Sequence, residues 1–190
     1  MSSSGQRFDG EARQMLLLLA RRTIALQLGL PAPPEPVALP AVLLVPGAAF
    51  VTLQLAGELR GCIGTLEARE PLVDCVRRQS GHAAFEDPRF APLTAREWPG
   101  VTIELTVLGP SRKIAGPAEF IPGTHGIIIE QGHRRAVFLP QVATEQGWNR
   151  EETLTHLARK AGLPASAWRH EARLAIFEAE HFSETSLPPR

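Results

Sequence analysis

The stretch Phe50-Val51-Thr52-Leu53-Gln54-Leu55-Ala56-Gly57-Glu58-Leu59-Arg60-Gly61-Cys62-Ile63-Gly64-Thr65-Leu66 decides the fold. Phe50 to Leu55 and Leu59 to Leu66 are β-type runs, and the connection Ala56-Gly57-Glu58 contains the glycine that a tight hairpin needs. In an extended second arm, Arg60 and Cys62 point to one face and Leu59, Gly61 and Ile63 to the other. The apolar pair Leu59 and Ile63 is expected against the core. Arg60 and Cys62 are then left facing a cleft or a covering helix.

Working outward, Val101 to Leu108 alternates between Val101, Ile103, Leu105 and Val107 and the polar set Thr102, Glu104 and Thr106, the pattern of a half-buried strand. Ile127 to Glu130 and Arg135 to Leu139 read as a second hairpin around Gln131-Gly132-His133-Arg134, and Leu174 to Phe182 as a last strand. Helices are expected over Glu11 to Leu28 behind Asp9 as N-cap, over Pro71 to Phe85, and from the Asn149-to-Glu152 capping box to Ala161. Thr94 to Glu97 repeats the capping-box pattern ahead of a short turn. Five prolines among residues 31 to 40 predict an extended surface connector. Hairpins and long mixed excursions in place of a regular βαβ alternation predict an α+β fold with a mainly antiparallel sheet flanked by helices. Residues 10 to 185 are expected to form a single domain, with residues 1 to 8 and 186 to 190 as flexible termini.

The chain has 190 residues, 44% hydrophobic and 21% charged, so it is long enough to bury its own core. Twenty basic against twenty acidic residues give a formal charge of zero, which disfavours a global nucleic-acid binder or membrane-surface protein. The longest apolar run, Met15 to Ala20, falls far short of the ~20 residues of a membrane span and is too short for a signal peptide. A cytoplasmic protein with two free thiols, Cys62 and Cys75, is expected. No CxxC, HxH or HExxH spacing supports a metal, and no GxGxxG or phosphate-binding loop supports a nucleotide, so no cofactor is expected.

Leu59-Arg60-Gly61-Cys62-Ile63-Gly64-Thr65 resembles the hallmark of the AMMECR1 domain, whose bacterial and archaeal members are also called AmmeMemoRadiSam system protein A. Ala84 to Phe90, the strand with Glu104, Pro122 to Gly126, Phe138 to Val142 and Arg159 to Pro164 follow in the family's order. The resemblance implies two unequal lobes, a larger one with an antiparallel sheet flanked by helices and a smaller β-rich one. It supplies no settled activity. The system name implies a MEMO-like protein and a radical SAM protein as partners.

A guanidinium at Arg60 is expected to stabilise a Cys62 thiolate, and Gly61 and Gly64 leave the backbone bare for a ligand or another main chain to approach. Cys62 is thus a candidate nucleophile, or else a small hydrophobe packed in a tight strand. His125, in a glycine-bounded loop, is the candidate base, or a loop histidine that fixes its turn by a backbone hydrogen bond. Glu104 is the candidate to orient that imidazole, or it pairs with Arg60 or another arginine across the strands. Two functions compete on these residues. One is a thiol-dependent transfer or modification of a small molecule or peptide held in a cleft; the other is a non-catalytic adaptor that docks a protein segment. A regulator contacting nucleic acid is a third, weaker reading.

Overall fold

The computed structural model describes residues 7–170 and 172–186, so most of the predicted flexible termini lies outside the described residues. Phe8, assigned to the flexible start, is instead buried at 1% exposure. The chain divides into two compact units, one reaching to Leu108 and resuming at Glu180, the other spanning Gly109–Ala179.

In the first unit, α1 (Gly10–Gln27) starts at Asp9, whose carboxylate accepts from the Ala12 N–H at 2.8 Å. It stops where Gly29 takes φ +69° and the Leu30 N–H reaches the Ala25 carbonyl. The proline-rich stretch forms neither helix nor strand and leads to β1 (Pro46–Leu55) and β2 (Glu58–Gly64). The turn between them is one residue tighter than expected, because Ala56 and Gly57 both adopt positive φ, 54° and 85°. β3 (Glu70–Pro71) pairs with the start of β1, and α2 (Leu72–Phe85) follows directly. β4 (Val101–Leu108) occupies the residues predicted for it and pairs antiparallel with β1 along its whole length. The sheet runs β2-β1-β4-β9, where β9 is Ala179–Ser183. Helices α1 and α2 share one core with the apolar face of this sheet, which carries Ala49, Val51, Leu53, Ile103, Leu105 and Val107.

The second unit holds β5 (Arg112–Lys113), β6 (Gly126–Gln131), β7 (Arg134–Phe138) and β8 (Arg173–Phe177), ordered β5-β8-β6-β7 in antiparallel pairs. The β6–β7 turn is two residues long, with Gly132 at φ +60°. Two helices accompany the sheet. The short α3 (Pro140–Gln146), unread in the sequence, begins with proline at its first turn and ends where Gly147 is left-handed. The predicted capping box of α4 (Arg150–Lys160) is formed in both directions between Asn149 and Glu152. Ile127, Ile129, Leu154, Leu157 and Trp168 centre a separate core.

Two expectations need correction. Leu174 to Phe182 is not one strand: β8 and β9 belong to different sheets, and Glu178 between them gives its carbonyl to the Gly109 N–H at 2.8 Å. Leu59 does not face the core but is 45% exposed, because the register of β2 on β1 shifts between Leu53 and Gln54 and turns Leu59 outward. Ile63, beyond the shift, packs against the core as expected.

Candidate functional site

Strand register assembles the site in the first unit. Thr52 of β1 stands opposite Cys62 of β2 on one side and Glu104 of β4 on the other. Directly paired residues share a face, so Cys62, Thr52 and Glu104 form a row on the face turned away from the helices. The Thr52 hydroxyl donates to the Cys62 sulfur at 3.3 Å. Cys62 is half-buried, whereas Cys75 lies wholly inside α2, where burial pushes its thiol pKa up.

β2 is the edge of the sheet, so the Cys62 backbone groups that face away from β1 need another partner. Asp87 and Arg89, in the loop after α2, supply it. The Cys62 N–H donates to Asp87 Oδ2 at 2.8 Å, and Arg89 Nη2 donates to the Cys62 carbonyl at 3.2 Å. The two loop residues also hold each other, since Asp87 accepts from Arg89 Nε at 2.9 Å and Nη2 at 2.7 Å. The Asp87 side chain is 2% exposed, and the guanidinium beside it holds its carboxyl well below the usual carboxylate range against the opposing effect of burial. Asp87 in turn raises the Arg89 pKa, with smaller contributions from the Cys62 side chain.

Arg60 does something else. Its Nε and Nη2 grip Glu97 at 2.8 and 3.2 Å, and Glu97 also accepts from the Thr94 N–H and hydroxyl at 2.9 and 2.7 Å. Arg60 and Thr94 together bring the Glu97 carboxyl down to about 2. The arginine tied to the cysteine is therefore Arg89, not Arg60. Both guanidinium carbons nevertheless lie over one ring, Phe90, at 5.9 Å for Arg60 and 5.4 Å for Arg89.

The glycines flanking Cys62 are approached as a bare backbone permits, though by the protein itself. A Cβ on Gly61 would stand 2.1 Å from the Ala83 carbonyl oxygen of α2, and one on Gly64 would meet Phe50 at 2.3 Å.

Glu104 pairs with no arginine among the described residues. Its Oε1 accepts from Gln54 Nε2 at 3.0 Å, and its histidine neighbour is His181 of β9, with Nε2 3.9 Å from Oε2 and Nδ1 3.2 Å from the Thr106 hydroxyl. His125 belongs to the second unit, where its Nδ1 accepts from the Ile121 N–H at 3.1 Å. With Nδ1 an acceptor, the neutral ring carries its hydrogen on Nε2. The residues passed over in the sequence are Thr52, Asp87, Arg89 and His181. Only the rigid Asp87-Pro88-Arg89 loop carried a local signal for two of them. No group of three or more metal-ligating side chains is found among the described residues.

A model of the AMMECR1 family matches residues 17–182. The chain belongs to the AMMECR1 family. It is 42% identical over 134 residues to Protein MJ0810 of Methanocaldococcus jannaschii, covering 67% of either chain. A protein of Aquifex aeolicus is 40% identical over 143 residues, covering 71% of this chain and 73% of that one. The crystal structure of the uncharacterized protein PH0010 from Pyrococcus horikoshii shares the fold at a TM-score of 0.83 and 33% identity, covering 96% of this chain and 97% of the other. The Cys62 site, with both arginines and Glu104, lies inside the span that defines the AMMECR1 match.

Proposed function

We propose that this AMMECR1 chain is a thiol-dependent enzyme that transfers or modifies a group on a small molecule or peptide, with Cys62 as the nucleophile. The observation that carries the reading is the treatment of Cys62 on a polar sheet face. Its sulfur receives a hydroxyl hydrogen bond from Thr52, and its N–H and carbonyl are held by Asp87 and Arg89. A half-buried nucleophile held at its backbone is preorganised for attack. In the reaction the thiol gives up its proton to solvent, the sulfur electron pair forms a bond to an electrophilic carbon, and the leaving group departs with the old bonding pair.

Glu104 is the carboxylate available on the same face. A cytoplasmic setting with a MEMO-like protein and a radical SAM protein as partners belongs to this proposal, the radical SAM partner producing or consuming the substrate.

Brief labelling with iodoacetamide at neutral pH followed by peptide mapping tests the reading. Cys62 is expected to react at least as fast as free cysteine in spite of its half-burial, and roughly tenfold or more faster than Cys75. Labelling of Cys62 as slow as that of Cys75 would reduce it to a packing residue and favour the adaptor.

A further inference from the structure

Arg89 keeps one nitrogen uncommitted. Its Nε and Nη2 serve Asp87 and the Cys62 carbonyl, while Nη1 makes no hydrogen bond among the described residues, and the side chain is 53% exposed. Arg60 shares the pattern of bonds but is more buried: Nε and Nη2 are committed to Glu97 and the Pro92 carbonyl, Nη1 makes no hydrogen bond among the described residues, and the side chain is 14% exposed. Each arginine is oriented by a carboxylate, and both stand over the Phe90 ring.

An arginine whose inner edge is fixed by a carboxylate loses little side-chain entropy when its outer N–H groups bind an anion. The N–H groups left over are those of Nη1, and a carboxylate oxygen can accept a charge-assisted hydrogen bond from them. A single arginine kept only to cover the sheet edge at Cys62 would need no second guanidinium on the same ring. We propose that Nη1 of Arg89, with Arg60 on the same Phe90 ring, forms a carboxylate-binding subsite next to Cys62, and that the carboxylate it takes belongs to the molecule on which the thiol acts. Asp87 is then a positioning residue that aims Arg89. The subsite deepens the thiol-enzyme reading, and rests on it, by naming the substrate class.

The test compares two alkylating reagents that differ in charge at the carboxyl end, iodoacetate and iodoacetamide. The quantity read is the ratio of their rates at Cys62, divided by the same ratio for free cysteine. Wild-type protein is expected to favour iodoacetate by roughly tenfold, about the weight of one charge-assisted hydrogen bond. Arg89→Gln is expected to bring the ratio back near that of free cysteine. Because that variant leaves the buried Asp87 unpaired, the double variant Asp87→Asn/Arg89→Gln is measured beside it and is expected to lose the preference equally. Millimolar succinate is expected to slow iodoacetate labelling of Cys62 more than the same concentration of inorganic phosphate does. A wild-type ratio equal to that of free cysteine, a ratio unmoved in both variants, or stronger protection by phosphate would overturn the subsite. Slow iodoacetamide labelling of wild-type Cys62 is the separate result that defeats the thiol-enzyme reading itself.

Discussion

Asp87 and Glu97 are the two carboxylates that hold the site's arginines, and both are more acidic in the folded chain than in an unfolded one. A depressed carboxyl pKa contributes stability that is full above the unfolded value, about 4, and is lost as the pH falls through the folded value. For Glu97 that window runs from about 4 down to about 2, and for Asp87 it extends lower. Urea unfolding between pH 6 and pH 2 should therefore show stability falling steeply below about pH 4. Glu97→Gln should lower stability at pH 6 by about 1 to 2 kcal/mol and flatten the acid limb, since the variant has no proton to take up. An acid limb of unchanged slope in that variant would mean that Glu97 titrates alike folded and unfolded. Asp87→Ala should cost about 1 to 3 kcal/mol, because the Cys62 N–H at the sheet edge is left without its acceptor.

At the scale of elements, glycine decides how closely α2 lies on β2. Gly61→Ala places a methyl group against the backbone oxygen of Ala83, which no rotamer change relieves, so the helix or the strand must move. The expected cost is at or above the top of the roughly 1 to 3 kcal/mol range for overpacking. Gly57→Ala is the contrast, since the added methyl meets nothing within 4 Å and only the φ of +85° is strained. Its cost should be about 1 to 2 kcal/mol. Denaturant midpoints of the two variants check the order, and a Gly57 variant less stable than the Gly61 variant would show that turn conformation outweighs helix–strand contact. The same elements show what could be read in advance. β4 and the capping box of α4 were legible because alternation and capping are local patterns. The break between β8 and β9 was not, since Leu174 to Phe182 holds no glycine or proline to mark it while its two halves find partners in different sheets.

Across the whole molecule, charge is balanced at a formal net of zero, and no described helix is long and apolar enough to cross a membrane. Most of the described arginines are matched to carboxylates, as in Arg77 with Asp74 and Glu35, Arg112 with Glu119 and Arg169 with Glu151. Arbitrary duplex or single-stranded oligonucleotides at physiological salt should therefore bind no tighter than the non-specific range of roughly 10⁻⁴ to 10⁻⁶ M. Submicromolar, sequence-selective binding in a fluorescence-anisotropy titration would instead promote the regulator among the functional readings. The amino-acid order by itself determined the class of fold, the main hairpin, the bounds of α1, α2 and α4 to within a residue, and Cys62 and Glu104 as polar-face residues, because each follows from periodicity or capping within a few residues. Only tertiary structure decided that Thr52 stands between Cys62 and Glu104, that Asp87 and Arg89 cover the sheet edge at Cys62, and that Arg60 turns to Glu97. Those pairings join segments far apart in the chain, and a side chain's partner across such a distance depends on strand register and loop path, which no local pattern encodes.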